Sequence, residues 1–254
     1  MLVKDQLHRS LQFSKPPVRI VSLVPSQTEL LVDLGLRDQL VGITKFCVHP
    51  KSLRKEVAVV GGTKDFQLDN IKRLRPDIVI CNKEENTKAI VEACEAIAPV
   101  WVSDINTIED SLEMISSLGK LFNVSEMASK IIAGISSERE TFLEYVIHRT
   151  PQKVVYLIWK NPYMAAGTHT FIDSLLQLNK FENIVSEARY PEVSLDLLKE
   201  ADLILLSSEP FPFKEKHVVE LEAALQKDVR IVDGEYFSWY GSRLQNAFTY
   251  FKTL

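Results

Sequence analysis

The sequence has few cysteines and no long apolar run. Its three cysteines, Cys47, Cys81 and Cys94, are widely spaced and form no C-x-x-C pair, which argues against a disulfide framework. No apolar run reaches about 18 residues, so the sequence predicts no membrane-spanning helix. The net charge is −4 and no basic patch is present. These features disfavour a nucleic-acid-binding surface.

Catalytic motifs are also missing. The sequence contains no G-x-S-x-G, and Gly61-Gly62-Thr63-Lys64 lacks the upstream glycine that a phosphate-binding loop requires. An enzyme, such as a metal-dependent lyase or chelatase, therefore has no positive support. Residues 1–15 are polar and lack the apolar core of a signal peptide. We expect residues 4–15 to form an extended arm, and the protein either stays in the cytoplasm or has its leader left off the sequence.

Residues 124–150 are predicted to form one long helix. The apolar side chains that recur at helical spacing are Met127, Ile131, Ile132, Ile135, Phe142, Leu143 and Val146. Charged residues occupy the opposite face, Ser125 fits the N-cap, and Thr150-Pro151 ends the helix. At ~1.5 Å per residue, such a helix is roughly 35 Å long, about the width of a small domain.

Short strands and helices alternate on both sides of this helix. Such alternation predicts an α/β protein with mainly parallel sheets that are flanked by helices. We predict two lobes, residues 1–123 and 151–254, bridged by the single helix 124–150. The apolar content of 46% is enough to give each lobe its own core. The alternative is an ordinary crossover helix inside a single sheet.

The two halves share a weak repeat around Asp69 and Asp196. Leu68-Asp69 and Leu195-Asp196 each begin a predicted helix that leads into a buried strand. A carboxylate is favoured in the first turn of a helix, because the helix dipole is positive there. Dipole complementation alone accounts for this pair, and a docking role is the functional alternative.

The loops that follow the predicted strands carry the candidate ligand-binding residues. In parallel α/β folds, ligands bind beyond the carboxyl ends of the strands, here between the lobes. The candidates are Phe46, His49, Lys64, Asn82, Lys83, Glu84, Tyr163, Met164, Tyr190, Tyr236, Trp239 and Tyr240. Aromatic walls suit a macrocycle, and lysines suit its carboxylates. Core packing is the alternative for any single ring, but we expect that the four rings of residues 236–240 do not all point inward.

A metal ligand is a further possibility in the first lobe. Cys47-x-His49 could ligate a metal, and so could His169, but the pair lacks the partners of a structural zinc site. His49 is the metal candidate that we retain. Core packing and loop hydrogen bonds are the alternative for each of these residues.

The chain resembles the substrate-binding proteins of metal-chelate ABC importers from about residue 19 onward. The segments that carry the resemblance are Arg19-Ile20-Val21-Ser22-Leu23, Pro25, Thr28-Glu29-Leu30, Leu34-Gly35, Val41-Gly42, Gly61-Gly62, Leu74-x-Pro76-Asp77-Ile78-Val79, Gly167, Glu182-Asn183-Ile184 and Glu192-Val193-Ser194. The resemblance implies a class III periplasmic binding protein of the helical-backbone metal receptor type. It also implies a transported corrinoid, haem or iron–siderophore ligand and no intrinsic cofactor.

The same resemblance is nearest to the vitamin B12-binding branch. It implies a monomer, periplasmic or lipid-anchored, that docks on arginines of a membrane permease through Asp69 and Asp196. That branch places tryptophans on its cleft loops, where this chain has Thr63 or Lys64, Asn82 and Tyr190. Two hypotheses follow: the solute-binding component of a metal-chelate importer, or a cytosolic carrier or sensor of such a ligand on the same fold.

Overall fold

The computed structural model describes residues 1–64 and 67–254. Within them the chain forms two compact units. Unit 1 comprises Met1–Asp104, Glu109–Ser136 and Tyr240–Arg243, and unit 2 comprises Ile105–Ile108, Ser137–Trp239 and Leu244–Leu254. Each unit has its own parallel sheet and is described below by itself.

Strands and helices alternate along most of the chain, as the sequence predicts. The strands are β1 Leu2–Lys4, β2 Ser10–Gln12, β3 Ile20–Ser22, β4 Leu40–Thr44, β5 Ala58–Gly61, β6 Ile78–Asn82, β7 Val100–Ser103, β8 Gln152–Trp159, β9 Met164–Ala165, β10 Phe181–Asn183, β11 Leu203–Ser207 and β12 Asp228–Val232. The helices are α1 Pro25–Asp33, α2 Leu53–Glu56, α3 Leu68–Leu74, α4 Lys88–Glu95, α5 Ile108–Leu121, α6 Ser125–Val146, α7 Phe171–Leu178, α8 Leu195–Glu200, α9 Glu215–Leu225, α10 Gly234–Ser238 and α11 Leu244–Phe251.

Unit 1 is built on a five-stranded parallel sheet with the order β5-β4-β3-β6-β7. Strands β3 and β6 are buried along their whole length, which explains their near-continuous apolar sequences. The chain runs outward from β3 to β5, returns to β6 and continues to β7. The direction of winding therefore reverses between β3 and β6, and loops diverge there to leave a crevice at the carboxyl edge.

Unit 2 repeats this design with the order β10-β8-β11-β12, in which these four strands are parallel. The short strand β9 pairs antiparallel with β8. Winding reverses between β8 and β11. The α/β fold class, with mainly parallel sheets flanked by helices, is confirmed.

The first fifteen residues are not an extended arm. Strands β1 and β2 pair antiparallel, with Val3 opposite Leu11, and form a hairpin that packs on unit 1. The prediction failed because both strands are only three residues long and carry a mixed polar sequence. Such short strands give almost no periodic signal.

The long helix α6 is continuous, and most of its predicted apolar face is buried. Ile131, Ile135, Phe142 and Val146 are all buried, whereas Met127 is 40% exposed and Leu143 is exposed as well. The assignment to the two units changes within the helix, between Ser136 and Ser137. The predicted domain limits at 123/124 and 150/151 stay a prediction.

Among the residues that the structure describes, no helix combines the length and apolarity that crossing a bilayer would require. Helix α6 is long enough, with 22 residues, but its mixed sequence carries charged side chains on the exposed face.

Phe142 anchors α6 in unit 2, so Phe142→Ala should destabilise the protein. Its ring is fully buried, with its centroid 5.9 Å from the Phe248 ring and 5.9 Å from the Phe251 ring. We expect a loss of about 3–5 kcal/mol of unfolding free energy in urea titrations, because the cavity cannot refill completely. Met127→Ala is the control on the same helix and should change the free energy by less than about 0.5 kcal/mol. Equal losses would contradict this account of the buried face.

Candidate functional site

Four loops converge at the carboxyl edge of the unit 1 sheet. They follow β4, β5, β6 and β7, and they carry the predicted residues Phe46, His49, Lys64 and Lys83. Phe46 is 48% exposed, and Lys45 Nζ lies 5.1 Å from the centre of its ring. The pair offers an aromatic face with a cation at its side, which suits a conjugated ligand that carries an anionic group.

The other candidates at this edge are two exposed lysines and a half-buried histidine. Lys64 is exposed and His49 is half-buried. Lys83 is exposed and forms an ion pair of 2.6 Å with Asp104, which follows β7. A ligand carboxylate that binds Lys83 must therefore compete with Asp104. Whether any of these residues contacts a ligand stays a prediction.

The metal prediction gains no support from the geometry. Cys47 is buried, and its Sγ contacts the hydroxyls of Thr28 at 3.1 Å and Thr44 at 3.3 Å. Burial raises the pKa of the Cys47 thiol, which disfavours the thiolate form. Across residues 1–64 and 67–254, no three His, Cys, Asp or Glu side chains are grouped to hold a metal ion. Ligation by His49 stays a prediction.

Asn82 is not part of an exposed wall, which corrects our expectation. It ends β6 and is 1% exposed. Its Oδ1 accepts hydrogen bonds from the amides of Glu84 at 2.8 Å and Glu85 at 3.1 Å, and its Nδ2 donates to Ser103 Oγ at 3.0 Å. The side chain therefore shapes the loop that presents Lys83, and sequence position alone could not separate this role from ligand contact.

Asn86 connects the same loop to two others. Its Oδ1 accepts from the amide of Asn82 at 2.9 Å, and its Nδ2 donates to the carbonyl of Thr63 at 2.9 Å. A longer bond of 3.4 Å reaches the carbonyl of Leu23. One amide side chain thus joins the loops after β3, β5 and β6. In the sequence, Asn86 is marked only as a polar residue after a strand.

Tyr240 is buried within unit 1 instead of standing in an exposed wall. Gln27 Nε2 donates to its hydroxyl at 3.2 Å and to Ser103 Oγ at 2.5 Å. The following residues are held there too, since the amide of Gly241 donates to Ser111 Oγ at 3.0 Å and Arg243 pairs with Glu29 at 2.7 Å. Burial raises the pKa of the Tyr240 phenol, so it remains a neutral hydrogen-bonding group.

The carboxyl edge of the unit 2 sheet presents an aromatic residue that our candidate set missed. Trp159 ends β8 and is 41% exposed. Its ring meets Phe211 edge-on, with centroids 5.6 Å apart, and Phe211 packs on Phe213 at 4.8 Å. The signal was available, because Trp159 ends the apolar run of residues 154–159 and is followed by Lys160 and Asn161.

Tyr163, Met164 and Tyr190 are half-buried in unit 2. Tyr163 hydrogen-bonds with Lys160, and burial raises the pKa of its phenol. Met164 lies in β9 and bridges to Glu192. These side chains retain partial exposure, and their contact with a ligand stays a prediction.

Of the four rings of residues 236–240, three are buried and only Tyr236 stays half-buried, so the segment exposes less aromatic surface than we expected. The segment forms the short helix α10, in which Phe237 is fully buried, and Trp239 just after it is buried too. Tyr236 is half-buried and stacks on Tyr250 with centroids 4.7 Å apart. Trp239 Nε1 donates to Glu209 Oε1 at 3.0 Å. We expected a loop with exposed rings, but the segment forms a helix with Asp233 at its N-cap, and Phe237 and Trp239 are buried as a result.

Glu209 is a partly buried carboxylate at this edge. Its Oε1 also accepts from Ser238 Oγ at 2.6 Å. Burial raises the pKa of Glu209, Glu235 and Asp233 raise it further, and the bonds from Ser238 and Trp239 oppose the change. The dominance of burial means that the charged form of Glu209 costs stability in the folded protein.

The aspartates of the weak repeat occupy equivalent positions. Asp69 is the second residue of α3 and Asp196 is the second residue of α8, and both are exposed. Asp196 pairs with Lys199 at 2.7 Å, and this bond lowers the pKa of its carboxyl. Each helix begins on the carboxyl side of its own sheet, because each follows a strand of a parallel crossover.

This architecture matches a known family. The model of the periplasmic binding protein family matches residues 20–228. The chain belongs to that family. The membership confirms the resemblance.

Two curated relatives define the level of similarity. An ABC transporter substrate-binding lipoprotein of Bacillus subtilis is 24% identical over 193 residues, which cover 73% of this chain and 61% of the relative. A vitamin B12-binding protein of Vibrio campbellii is 27% identical over 186 residues, which cover 71% of this chain and 66% of the relative. The matched part thus spans less than two thirds of the relatives' length.

Solved structures share the fold over nearly the whole chain. A periplasmic vitamin B12 binding protein of Vibrio cholerae aligns with a TM-score of 0.79 at 20% identity and covers 94% of this chain and 96% of its own. A periplasmic haem-binding protein of Pseudomonas aeruginosa aligns with a TM-score of 0.81 at 19% identity, covering 93% and 92%. At this level of sequence identity, the structural similarity establishes the fold alone.

Glu209→Gln should remove a pH-dependent loss of stability. The folded-state pKa of Glu209 lies above its unfolded value, so its contribution is full below the unfolded pKa and is lost as pH rises through the folded pKa. Glutamine keeps the acceptor for Ser238 and Trp239 without the charge. We therefore expect the variant to gain stability relative to the parent between about pH 4 and about pH 8 in urea unfolding.

Glu220→Gln is the control, because we expect its effect on the unfolding free energy to have the opposite sign. A hydrogen bond from Lys160 lowers the pKa of Glu220, so its contribution is present above the unfolded pKa and is lost as pH falls. This variant should be less stable than the parent by a constant amount above the unfolded pKa, and the difference should shrink as pH falls below it. Parallel pH profiles for the two variants would contradict the assignment.

Proposed function

We propose that the protein is the solute-binding component of an ABC importer and that its ligand is a metal chelate with an extended ring system. The observation that carries the proposal is the family match over residues 20–228. Support comes from relatives and fold neighbours whose names describe binding of vitamin B12 or haem and, in one relative, ABC transport. The proposed ligand class is a corrinoid, a haem or a ferric siderophore, bound as cargo and not as a cofactor.

Each sheet contributes a surface to this proposal. In unit 1 the face is Phe46 with Lys45 beside it, and in unit 2 it is Trp159 supported by Phe211. Both aromatic residues lie at or just beyond a strand's carboxyl end, where parallel α/β folds bind ligands. Both retain a large exposed ring, in contrast to Trp239 and Tyr240. Apolar faces of this kind, with few polar groups, suit a planar chelate.

The proposed partner is a membrane permease that receives Asp69 and Asp196. Both carboxylates are exposed in the first turn of a helix. An arginine of the partner can bind such a carboxylate with two parallel hydrogen bonds, which gives the contact direction as well as energy. The pairing of Asp196 with Lys199 lies on the surface and costs little to exchange for an arginine.

Trp159→Ala should weaken binding of a planar chelate more than about tenfold. A desolvated aromatic face contributes roughly 1.5–3 kcal/mol, and about 1.4 kcal/mol corresponds to a factor of ten in Kd. Haem and cobalamin are the probes, titrated by absorbance, with thermal unfolding as the measure of stability. The stability loss should be small, because the ring is 41% exposed.

Trp239→Ala is the matched control. This indole is buried and donates to Glu209, so its loss should lower stability by about 3–5 kcal/mol. Its effect on Kd, measured where the variant is still folded, should be the smaller of the two. If Trp159→Ala leaves the affinity for both probes intact and they still bind, the ligand face lies elsewhere.

Replacing Asp69 and Asp196 together by Lys should abolish stimulation of the importer's ATP hydrolysis and leave ligand affinity unchanged. The substitutions reverse the charge at both predicted contacts. The control replaces Glu113 and Glu222 by Lys, which gives the same change in net charge at exposed helix positions. Equal loss in both variants would indicate a general charge effect and would contradict specific docking.

A further inference from the structure

The N-terminal hairpin lies along an edge strand of unit 1. Strand β7 is at the end of the five-stranded sheet, with β6 as its strand neighbour. The turn between β1 and β2 contacts its other side, since Asp5, Gln6 and Arg9 all bond to the main chain of β7. The hairpin therefore makes hydrogen bonds that a further strand would otherwise make.

Four main-chain groups of this edge are bonded to the hairpin. The bonds are Val102 N–H to Asp5 Oδ2 at 3.3 Å, Gln6 N–H to the Val102 carbonyl at 3.2 Å, Arg9 Nη2 to the Val100 carbonyl at 2.8 Å, and Asp104 N–H to Gln6 Oε1 at 3.3 Å. Side chains supply three of these four partners. The hairpin thus covers this edge mainly through side-chain hydrogen bonds and does not form a regular strand pair with it.

Asp5 is the centre of the cover. Its side chain is 0% exposed, yet its carboxylate is saturated with donors. Oδ1 accepts from the amides of Leu7 at 3.0 Å and Arg9 at 2.9 Å, and Oδ2 accepts from Arg9 Nε at 2.7 Å. Burying a carboxylate costs several kcal/mol unless it is fully bonded. The hairpin places the Asp5 carboxylate within hydrogen-bonding distance of the Val102 amide.

The other sheet edges are protected by different means. Strand β12 carries Asp228 and Arg230, which form an ion pair of 2.5 Å on the edge. Strand β10 has three residues, and β5 pairs with a register shift. Charge, shortness and irregularity each discourage a further strand from pairing.

Strand β7, which is four residues long, has neither the charge nor the register shift of the other edges. Its sequence, Val100-Trp101-Val102-Ser103, carries no charge, and all four residues are buried. Regular, uncharged edges of this kind pair readily with other strands. Without the hairpin, this edge would present an apolar strand with free main-chain groups, and an identical strand would meet no charge repulsion.

We propose that residues 1–15 are an edge guard that keeps the protein monomeric. The occupant of the β7 edge in the folded monomer is this hairpin. When the guard is removed, the edge pairs with β7 of a second copy of the chain. The exposed β7 edge is therefore self-complementary. Asp5 and Arg9 are the residues that keep this edge covered in the monomer.

The first test removes residues 1–15 and measures mass by sedimentation velocity. We expect a shift from monomer to dimer or larger species. A synthetic peptide of residues 1–15 added in trans should restore the monomer, and the same peptide with Asp5→Ala should not. A truncated protein that is folded and monomeric without peptide would overturn the proposal.

The second test uses the full chain and applies even if the truncated protein does not fold. Asp5→Ala should raise amide hydrogen exchange at Val102 and Asp104 more than tenfold, while exchange in the central strand β3 stays unchanged. Lys4→Ala, an exposed hairpin residue, is the control and should leave all three regions unchanged. Unchanged exchange at Val102 in Asp5→Ala would overturn the role of the carboxylate.

Discussion

Buried main-chain groups at the ends and edges of a parallel sheet must find hydrogen-bond partners, and this constraint organises much of the protein. In unit 1, Asn82 and Asn86 bond to the amides and carbonyls of the loops beyond the strands. Asp5, Gln6 and Arg9 do the same along the edge of β7. Asn82, Asn86 and Asp5 are buried, and the two asparagines stabilise the loops that carry the exposed candidates Lys64 and Lys83.

The same constraint separates residues that hold the site from residues that can meet a ligand. Hydrogen bonds within the protein engage the polar side-chain atoms of Asn82, Trp239 and Tyr240, and these side chains are almost fully buried. Phe46 and Trp159 make few such bonds and keep broad exposed rings. A binding protein for planar chelates benefits from this division, because a rigid polar support keeps the apolar faces in place at no cost when the ligand arrives.

Much of the fold was predictable because its signals are local. The starts of α3 at Leu68 and of α8 at Leu195 were predicted correctly, since a carboxylate in the first turn and a following apolar run identify a short helix. The continuous helix α6 was predictable from its spacing, although Met127 and Leu143 are exposed at its margins. The candidate site was predicted less well. The loops were correct, but Trp159 was missed and the segment 236–240 was misread as an open loop.

The sequence by itself determined the alternation of strands and helices, the position of the long helix and the exposed aspartates at two helix starts, because each depends on neighbours a few residues away. Only the tertiary structure decided which polar residues are buried. Asn82 bonds to Ser103, Gln27 to Tyr240 and Asp5 to Val102, and these partners are 21, 213 and 97 positions apart. A side chain's role depends on whether its distant partner exists, and no local pattern of residues records that distance.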